Sequence, residues 1–396
     1  MKEAERGYSE MSNLKVDERF ITSLASRLVK INSENPPGRE GEIASFVAER
    51  LSDLGLRSWI DRFRDRANAV GVYEGGNGFS LMLITHLDTV PAGDKENWNF
   101  PPFGGIVKDG KLYGRGAADA KGPLASMLGA LKLLADSGWK VNGKIIFAAV
   151  ADEEVNSEGV KRLIAKGVKA DSAIVGEPTS LNVCVAHKGR LLFSVEFLGK
   201  AAHASSPRLG INAIYPASEF ALEVAKISGE AFEKHPLLGS STAAPTIVRG
   251  GIKDNMIPEH VEIWIDRRVL PNEKLESIIS YYRSIAEKIA ARHGAKADLR
   301  IKKWVPSSEV DPSSKIVTAA IDAASKILGI QAKPVGFQAT CDMSFLVNEA
   351  EIPSIVFGPG SLDQAHTVDE WVEVDQLFAA AKIYAAVALS LLRSKN

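Results

Sequence analysis

The sequence predicts an α/β fold, a mostly parallel sheet flanked by helices, that is interrupted by an inserted ferredoxin-like α+β domain. Two observations carry this prediction. From residue 16 to about 188, amphipathic helical segments alternate with continuous apolar strands, as expected for a sheet covered on both faces. Between residues 190 and 305 the segments follow the order β-α-β-β-α-β, the split unit of a ferredoxin-like sandwich. We therefore predict one α/β domain over residues 1–189 and 306–396, and the inserted domain over residues 190–305.

The elements of the α/β domain follow from hydrophobic periodicity and from Gly/Pro punctuation. Before the insertion they are two helices, two strands, then helix, strand, helix, strand: "DERFITSLASRLVKI", "NPPGREGEIASFVAERLSDLG", "ANAVGVYEG", "SLMLITHLD", "AKGPLASMLGALKLLADSG", "GKIIFAAVADEE", "EGVKRLIAKG" and "ADSAIVGEPTS". After it come a helix, a strand and a closing helix: "SKIVTAAIDAASKILG", "IPSIVFGPG" and "VDQLFAAAKIYAAVALSLLRS".

The inserted domain alternates differently, with two strands next to each other between its helices. Its six segments are "LLFSVEFLGKAAH", "NAIYPASEFALEVAKIS", "APTIVRGG", "EHVEIWIDRRVL", "NEKLESIISYYRSIAEKIAARHG" and "ADLRIKKW".

Composition excludes several classes of function. With 48 Lys+Arg against 49 Asp+Glu, the net charge of −1 gives no field that would draw the chain to nucleic acid or to an anionic membrane. No uninterrupted apolar run approaches the ~18 residues needed to span a bilayer. Residues 1–15 are predicted to be a polar tail without the apolar core of a signal peptide, and Met11 offers a second start. Two cysteines cannot form a disulfide framework, so we predict a reducing, cytoplasmic location.

Polar side chains with metal-binding chemistry follow the apolar strands. Because ligands bind beyond the carboxyl ends of the strands in open α/β sheets, these side chains are expected to converge. The stretches are "LITHLD" with His86 and Asp88, "GRGAADAKG" with Asp119, "VADEE" with Glu153 and Glu154, "IVGEPTS" with Glu177, and "SLDQAHTVDE" with His366.

Taken together, these residues predict a site for two divalent ions, with zinc favoured and cobalt also compatible. Asp119, in a Gly-flanked loop, is predicted to bridge; His86 and Glu177 complete one ion, and Glu154 and His366 the other. Asp88 is predicted to accept the free N–H of His86, and Glu153 to act as general base. Each residue alone also has an ordinary structural explanation, such as a capped turn or a solvated strand end. The joint pattern favours the metal site.

Several stretches resemble the co-catalytic zinc deacylases and exopeptidases, a family with acetylornithine deacetylase, succinyl-diaminopimelate desuccinylase, aminoacylase and glutamate carboxypeptidase among its members. The resemblance spans nearly the whole chain, in the right order. It implies a zinc-exopeptidase-like catalytic domain, a lid/dimerisation domain, a homodimer and the same metal ligands, with Glu153 as the proton shuttle. The matching stretches are "THLDTVPAGD", "WNFPPFGGIVKDGKLYGRGAADAKGPLASML", "ADEEVNSEGV", "IVGEPTS", "GKAAHASSP", "NMIPEHVEIWIDRR" and "AHTVDEWV".

The resemblance also implies roles for residues of the inserted domain. His203 would stabilise the oxyanion, and Asn255 and Arg267 would hold a substrate carboxylate. Without the resemblance these would be a loop histidine, a turn asparagine and a salt-bridged strand arginine. Further substrate-binding positions are Lys188, Arg190 and Thr340; Thr340 lies in "FQATCDMSF", a loop that departs from the family's usual Gly/Ser/Thr-rich pattern.

The predicted function is metal-dependent hydrolysis of the amide bond of an N-acyl amino acid, a small-molecule substrate. The alternative is a metallo-exopeptidase acting on short peptides, and a more remote one is a non-catalytic binding protein on the same scaffold. A serine hydrolase is disfavoured because no GxSxG elbow occurs. Cys341 as a nucleophile is disfavoured because no His/Asn arrangement accompanies it.

Overall fold

The computed structural model describes residues 15–138, 141–228 and 234–392, so the predicted polar tail lies almost entirely outside the described residues. The chain forms two compact units. The first comprises Met1–Val185, Val310–Phe337 and Cys341–Asn396, and the second comprises Ala186–Glu309 and Gln338–Thr340.

The helices and strands of the described residues are numbered here in chain order. The α-helices are α1 (Glu18–Lys30), α2 (Glu40–Asp53), α3 (Lys121–Asp136), α4 (Glu158–Ala165), α5 (Ile214–Ile227), α6 (Leu275–Arg292), α7 (Lys315–Leu328), α8 (Met343–Asn348) and α9 (Val374–Leu392). The strands are β1 (Arg57–Phe63), β2 (Arg66–Glu74), β3 (Phe79–His86), β4 (Ile106–Lys108), β5 (Lys111–Tyr113), β6 (Gly143–Val150), β7 (Ser172–Val175), β8 (Cys184–His187), β9 (Gly189–Leu198), β10 (Ala202–His203), β11 (Lys234–His235), β12 (Gly239–Ser240), β13 (Thr242–Gly250), β14 (Met256–Ile257), β15 (His260–Val269), β16 (Lys296–Val305), β17 (Ser308–Glu309), β18 (Val335–Phe337), β19 (Ser354–Val356) and β20 (Trp371–Glu373).

The central sheet of the first unit runs in the order β1-β2-β6-β3-β7-β19. Strands β6, β3, β7 and β19 pair in parallel, as the sequence predicts. The pairs β1–β2 and β2–β6 are antiparallel, so the sheet is mixed, with parallel pairing among its central strands. The outermost of these strands, β1, is not predicted from the sequence. Only one of its seven residues is buried, so it lacks the apolar run by which the central strands were recognised.

Helices cover this sheet as the α/β class requires. Helices α3 and α9 pack on β3 and on each other, and α2 packs on β1 and β2. Helix α9 is long and apolar enough, by length and composition, to cross a membrane, with a mean hydropathy of 1.4. It nevertheless packs against α3 and α7, as the core helix of a globular unit does. Because Asp375 and Lys382 interrupt its apolar run, it did not stand out in the sequence as a candidate span.

The second unit contains the predicted β-α-β-β-α-β arrangement, which is confirmed. Its four-stranded sheet has the order β13-β15-β9-β16, with every pair antiparallel. Helices α5 and α6 pack against this sheet and against each other. The core between them is mostly aliphatic and includes two tilted aromatic pairs, Phe193–Tyr282 and Phe197–Phe220, with ring centroids 5.0 and 5.7 Å apart. A separate pair of short strands, β10 and β14, carries His203 opposite Met256.

Candidate metal centre

The register of the central sheet brings the predicted ligands to one edge. His86, the last residue of β3, is paired with Val150 at the end of β6, and Ile84 is paired with Val175 at the end of β7. Val175 is in turn paired with Val356 at the end of β19. Because these four strands are parallel and end within two residues of one another in register, the residues that follow them emerge at the same edge. The convergence predicted from the sequence follows from this register.

Gly176 allows the chain after β7 to approach helix α3 closely. A Cβ at this position would lie 2.8 Å from the Met127 methyl carbon and 3.1 Å from Cβ of Thr85. The Gly176 N–H also donates to the carbonyl of Ile84, which ties the end of β7 to β3. A larger residue would therefore push Glu177, the next residue, away from the sheet edge.

Asp119 lies between two histidines. Its Oδ1 is 2.9 Å from Nε2 of His86, and its Oδ2 is 3.2 Å from Nε2 of His366. A second carboxylate accompanies each histidine: Glu177 Oε2 lies 3.8 Å from His86 Nε2, and Glu154 Oε1 lies 3.2 Å from His366 Nε2. The structure thus gathers the other four predicted ligands around the Asp119 carboxylate, in the two groups that the sequence predicts.

The tautomer of His86 is set by the backbone. Nδ1 of the imidazole lies 2.9 Å from the carbonyl oxygen of Asp88, which can only accept, so Nδ1 carries the hydrogen. Nε2 is then the nitrogen that faces Asp119: it donates to the Asp119 carboxylate when the imidazole is protonated, and in the neutral form it would offer its lone pair to a metal ion. The prediction that the Asp88 carboxylate accepts this N–H is wrong, because that carboxylate is 3.8 Å from Nδ1. The chain leaves the extended conformation after His86 and presents its carbonyl instead.

The Asp88 carboxylate instead holds the segment that carries Glu153 and Glu154. Its Oδ1 accepts from the backbone N–H of Glu153 at 3.1 Å, and its Oδ2 from that of Glu154 at 3.2 Å. Asp88 is fully buried, so both bonds form away from water. Asp88 therefore orients the predicted general base and its neighbouring ligand through the backbone.

The electrostatics of the cluster show an excess of negative charge. Burial raises the pKa of Glu177 and of Glu153 well above the usual carboxyl range, and neighbouring carboxylates raise both further. Hydrogen bonds to Asp119 and Glu154 raise the pKa of His366 to about 10. Burial lowers the pKa of His86, but its bond to Asp119 and the surrounding carboxylates outweigh this and raise the pKa well above its usual value. The surplus of buried carboxylates favours the binding of positive charge, whether protons or metal ions.

The donor set fits divalent metal ions. Ligand atoms of His86, Asp119 and Glu154, a set that takes members from both predicted groups, all lie within 4.8 Å of one another. Within each predicted group the histidine nitrogen lies 2.9–3.8 Å from the carboxylate oxygens. Atoms that share one ion with bonds of about 2.0–2.2 Å lie roughly 3–4 Å apart, so each group has the spacing of a metal site. Imidazole and carboxylate without thiolate suit zinc and other first-row divalent ions.

Glu370 and Arg115 hold the loop that carries Asp119, and neither was predicted from the sequence. Glu370 Oε1 accepts from the backbone N–H groups of Ala118 and Asp119 at 3.0 Å each, and its Oε2 pairs with Arg115 at 2.6 Å. The Glu370 side chain is fully buried. Both residues lie in stretches that match the family motifs: Glu370 in "AHTVDEWV", four residues after His366, and Arg115 in "GRGAAD". Those matches were the signal by which the pair could have been predicted.

Asp342 is a further residue whose importance the sequence did not indicate. Burial raises the pKa of its carboxyl to about 7, and its charge acts on both Glu153 and Glu177. Oδ1 of Asp342 has no hydrogen-bond partner among the described residues. It follows Cys341 in the loop where the sequence departs from the family pattern.

Within the second unit, the structure places His203 beside Asn255. The Ala204 N–H donates to the carbonyl of Asn255 at 2.9 Å, and both predicted site residues are exposed. The backbone N–H of Ser205 donates to Nδ1 of His203 at 3.1 Å. In its neutral form His203 therefore carries its hydrogen on Nε2 and can donate it.

Arg267 does not have the exposure that its predicted role requires. Its side chain is fully buried, and its guanidinium pairs with Glu273 at 2.6 Å and lies over the Tyr282 ring. The prediction that it holds a substrate carboxylate is therefore wrong: Arg267 forms an ion pair inside the second unit. Successive residues of a strand point to opposite faces, so Arg268 lies on the other face and remains partly exposed, at 34%.

The other predicted substrate-binding residues of the second unit gather around Arg268. Arg190 is its register partner, and the Nε groups of both arginines donate to Asp266, at 2.7 and 3.1 Å. Burial lowers the pKa of Lys188, and the charge of Arg268 lowers it further. The Thr340 hydroxyl donates to the carbonyl of Lys188 at 2.9 Å. Two arginines share the Asp266 carboxylate, and Lys188 lies close enough to Arg268 to be affected by its charge, so positive groups outnumber negative ones here.

Comparison with known proteins identifies the family. The sequence profile of the peptidase family M20/M25/M40 matches residues 82–390. The chain belongs to this family. Membership makes it a hydrolase of amide bonds, and it confirms the resemblance found in the sequence motifs.

Relatives within the M20 family include enzymes named as deacylases. A probable succinyl-diaminopimelate desuccinylase of Staphylococcus aureus (strain MSSA476) is 30% identical over 411 residues, covering 96% of this chain and 99% of the relative. An acetylornithine deacetylase of Pasteurella multocida (strain Pm70) is 31% identical over 342 residues, covering 84% and 86%. The crystal structure of aminopeptidase PepT from Bacillus cereus ATCC 10987 shares the fold, with a TM-score of 0.80, 23% identity, and coverage of 95% and 99%.

Proposed function

We propose that this M20 hydrolase is a dinuclear zinc deacylase that cleaves the amide bond of N-acyl amino acids. The observation that carries the proposal is the carboxylate–imidazole cluster around Asp119, in a chain that matches a probable desuccinylase over 96% of its length. One ion would be held by His86, Asp119 and Glu177, and the other by Asp119, Glu154 and His366. When bound, such ions supply Lewis acidity and lower the pKa of water toward neutrality.

Glu153 is the proposed general base. Its backbone is fixed by Asp88, its neighbour Glu154 contacts His366, and its own carboxyl has a raised pKa because it is buried among carboxylates. A carboxyl with a pKa nearer neutrality accepts a proton and returns it more readily than an ordinary one. Glu153 would take a proton from water and pass it to the leaving amine.

His203 is the proposed oxyanion donor. Because Ser205 occupies its Nδ1, its Nε2–H is available for the carbonyl oxygen of the substrate as negative charge develops there. Asn255, which lies beside it, is proposed to orient the substrate through its exposed side chain.

Arg190 and Arg268 are the proposed binders of the substrate carboxylate, in place of Arg267. Each uses its Nε on Asp266, an arrangement that fixes the plane of each guanidinium. Guanidinium groups pair with carboxylates in a bidentate manner, so the cluster suits a substrate with a free carboxylate. Lys188 would add to the positive charge.

The second candidate is a metallo-exopeptidase. The peptide bond and the N-acyl bond present the same amide to the same machinery, and the PepT likeness shows the fold alone. Both reactions need the metal centre, so the metal ligands do not separate them.

A substrate panel distinguishes the two candidates. The protein, reconstituted separately with zinc and with cobalt, is assayed on N-succinyl-diaminopimelate, N-acetylornithine, dipeptides and a tripeptide. We expect kcat/KM to be higher for an N-acyl amino acid than for the peptides by at least about tenfold, since both classes carry the carboxylate and the site discriminates by the group on the other side of the amide bond. A preference for peptides would replace the proposal with the exopeptidase.

A homodimer is proposed on the basis of the second unit. Strand β13 forms an edge of its sheet and exposes Val248 at 64%. Unpaired edge strands readily pair with a second chain. Sedimentation velocity that gives only a monomer at micromolar concentration would contradict this. The cytoplasmic location stays a prediction.

A further inference from the structure

A buried polar network lies behind the segment that carries Glu153. At its centre is Asn35, whose Nδ2 donates to Oδ2 of Asp88 at 2.8 Å and to Oδ1 of Asp152 at 2.9 Å. Asn35 is 2% exposed, and both carboxylates are fully buried. One amide group therefore joins two carboxylates that would otherwise repel each other across a site of low dielectric.

Arg66 supplies the positive charge of this network. Its Nη2 donates to Oδ1 of Asn35 at 2.9 Å and lies 2.9 Å from Oδ1 of Asp152. Its Nη1 pairs with Glu40, whose side chain is fully buried. The guanidinium fork thus connects β2, the start of α2 and the segment after β6, and it fixes which side of the Asn35 amide faces the carboxylates.

The network ends on the backbone of the catalytic segment. Asp88, held by Asn35, accepts from the N–H groups of Glu153 and Glu154. Asp152 precedes Glu153 directly, adopts a positive φ of 70°, and accepts from the N–H of Glu158 through its Oδ2 at 3.4 Å. The segment is therefore held on both sides by carboxylates that share a single amide donor.

We infer that Asn35 and Arg66 are positioning residues for Glu153. They hold Asp88 and Asp152 in place, and these in turn fix the backbone from which the Glu153 carboxyl extends. The inference rests on the proposed role of Glu153 as general base. The side-chain hydrogen bonds of Asn35 and Arg66 within the described ranges go to Asp88, Asp152, Glu40 and each other, and not directly to a metal ligand. Asp88 also holds the backbone N–H of Glu154, but the Glu154 carboxylate has a further contact with His366. The larger effect is therefore expected on proton transfer and the smaller one on metal retention.

The substitution Asn35→Asp tests this with little change in shape. It replaces a donor to two carboxylates by a third carboxylate, so the Asp88–Asp152 link is lost. We expect kcat on the substrate selected by the panel to fall by about 10–100-fold, as is usual when a supporting hydrogen bond of a metal site is lost. KM and the zinc content are expected to stay within about twofold of the wild-type values, since the side-chain hydrogen bonds of Asn35 go to no proposed metal ligand and no proposed substrate-binding residue.

Hydrogen exchange provides a readout that does not depend on activity. In Asn35→Asp the backbone amides of residues 152–156 should exchange at least about tenfold faster, because the Asp88 acceptor is no longer fixed. Amides of β3, residues 79–86, serve as the internal reference and should keep their protection. The matched control is Asn182→Asp, since the Asn182 amide donates to the Thr179 carbonyl, at 2.9 Å, and not to the network; it should leave both kcat and exchange at residues 152–156 unchanged.

Arg66→Lys is the second variant. Lysine keeps the charge but lacks the fork that contacts Glu40, Asn35 and Asp152 together, so partial loss of kcat and partial loss of protection are expected. If Asn35→Asp does not fold, Arg66→Lys is measured in its place.

The outcomes separate this inference from the proposed function. If the wild-type protein cleaves no member of the panel, the proposed function is contradicted. The hydrogen-exchange measurement would still test the network in that case. Unchanged exchange and unchanged kcat in folded Asn35→Asp and Arg66→Lys would overturn the inference. A loss of zinc instead of kcat would also overturn it, because the network would then act on the ligands.

Discussion

Glu153 and Glu154 are neighbours in sequence with different surroundings. Glu154 Oε1 lies 3.2 Å from His366 Nε2, whereas Glu153 is placed through its backbone by Asp88. We predict that Glu153→Gln lowers kcat by at least about 10²–10⁴-fold, because general base catalysis contributes that much. Zinc content, measured by atomic absorption, should remain at the wild-type level. Glu154→Gln is the control and should lose zinc; normal turnover in Glu153→Gln would refute the assignment.

Arg267 and Arg268 are likewise adjacent but lie on opposite faces of β15. The proposed contact of Arg268 with a substrate carboxylate predicts that Arg268→Met raises KM by about 10–100-fold, since a lost charged hydrogen bond is worth ~1.5–3 kcal/mol. Arg267→Met should instead lower the free energy of unfolding, because it removes the ion-pair partner of the partly buried Glu273 carboxylate. Steady-state kinetics and urea denaturation of both variants measure this. The reverse pattern would restore the original prediction for Arg267.

These residues also show which parts of the site can be predicted from the sequence. Residue types and strand ends were enough to predict the five ligands that the structure gathers. They were not enough for Asp88, because alternation along a strand no longer applies once the chain bends after His86. The role that the family resemblance implied for Arg267 was wrong, because a motif match does not determine which of two adjacent arginines points into the core.

At the scale of elements, the loop before α3 depends on Glu370. This carboxylate fixes the backbone of Ala118 and Asp119, and Arg115 compensates its charge. We predict that Glu370→Gln weakens zinc binding by about 10–100-fold, because the amide can accept from the backbone but no longer pairs with Arg115 as an ion. Competition with a chromophoric chelator measures the affinity. Unchanged affinity would show that the loop is held by other contacts.

The central elements were predictable and the peripheral ones were not. Strands β3 and β6 carry long apolar runs because both faces are covered, and this pattern appears directly in the sequence. Strand β1 and the three-residue strands β4, β5 and β20 have too few buried residues to give a periodic signal. Helix α8, with six residues, is likewise shorter than the windows over which helical periodicity is recognised.

For the molecule as a whole, the charge of the metal centre predicts how stability depends on pH. In metal-free protein the pKa of His366 is raised to about 10 and that of His86 is also raised, so the folded state binds these protons more tightly than the unfolded state. Their stabilisation is complete below the ordinary pKa value of 6.5 and is lost as the pH rises toward 10. The raised carboxyl pKa values of Glu177 and Glu153 act in the same direction.

We therefore predict that chelated protein becomes less stable as the pH rises from about 6.5 to about 9.5, and that zinc removes most of this dependence by replacing the protons. Urea denaturation with and without zinc at several pH values measures it. A chelated protein whose stability rises over this range would show that the cluster is not the dominant titrating site.

The two-unit organisation could be predicted because the order of helices and strands changes along the sequence, from alternating helices and strands to β-α-β-β-α-β. The ferredoxin-like order was recognised because its strands and helices are long and amphipathic, as α6 with 18 residues and β15 with 10 illustrate. The inclusion of Gln338–Thr340 in the second unit was not predictable, since these residues lie well beyond the end of the insertion in the chain. Long-range contacts of this kind leave no local signal.

The most direct test of the two-ion mechanism is a zinc titration of chelated protein, followed by hydrolysis of N-succinyl-diaminopimelate or of whichever panel substrate is cleaved. We predict that activity is absent without metal and reaches its maximum at two zinc equivalents. We also predict that Asp119→Asn, which weakens both groups of ligands at once, neither binds two zinc ions nor recovers activity. Full activity after chelation, or full activity of Asp119→Asn, would contradict the mechanism.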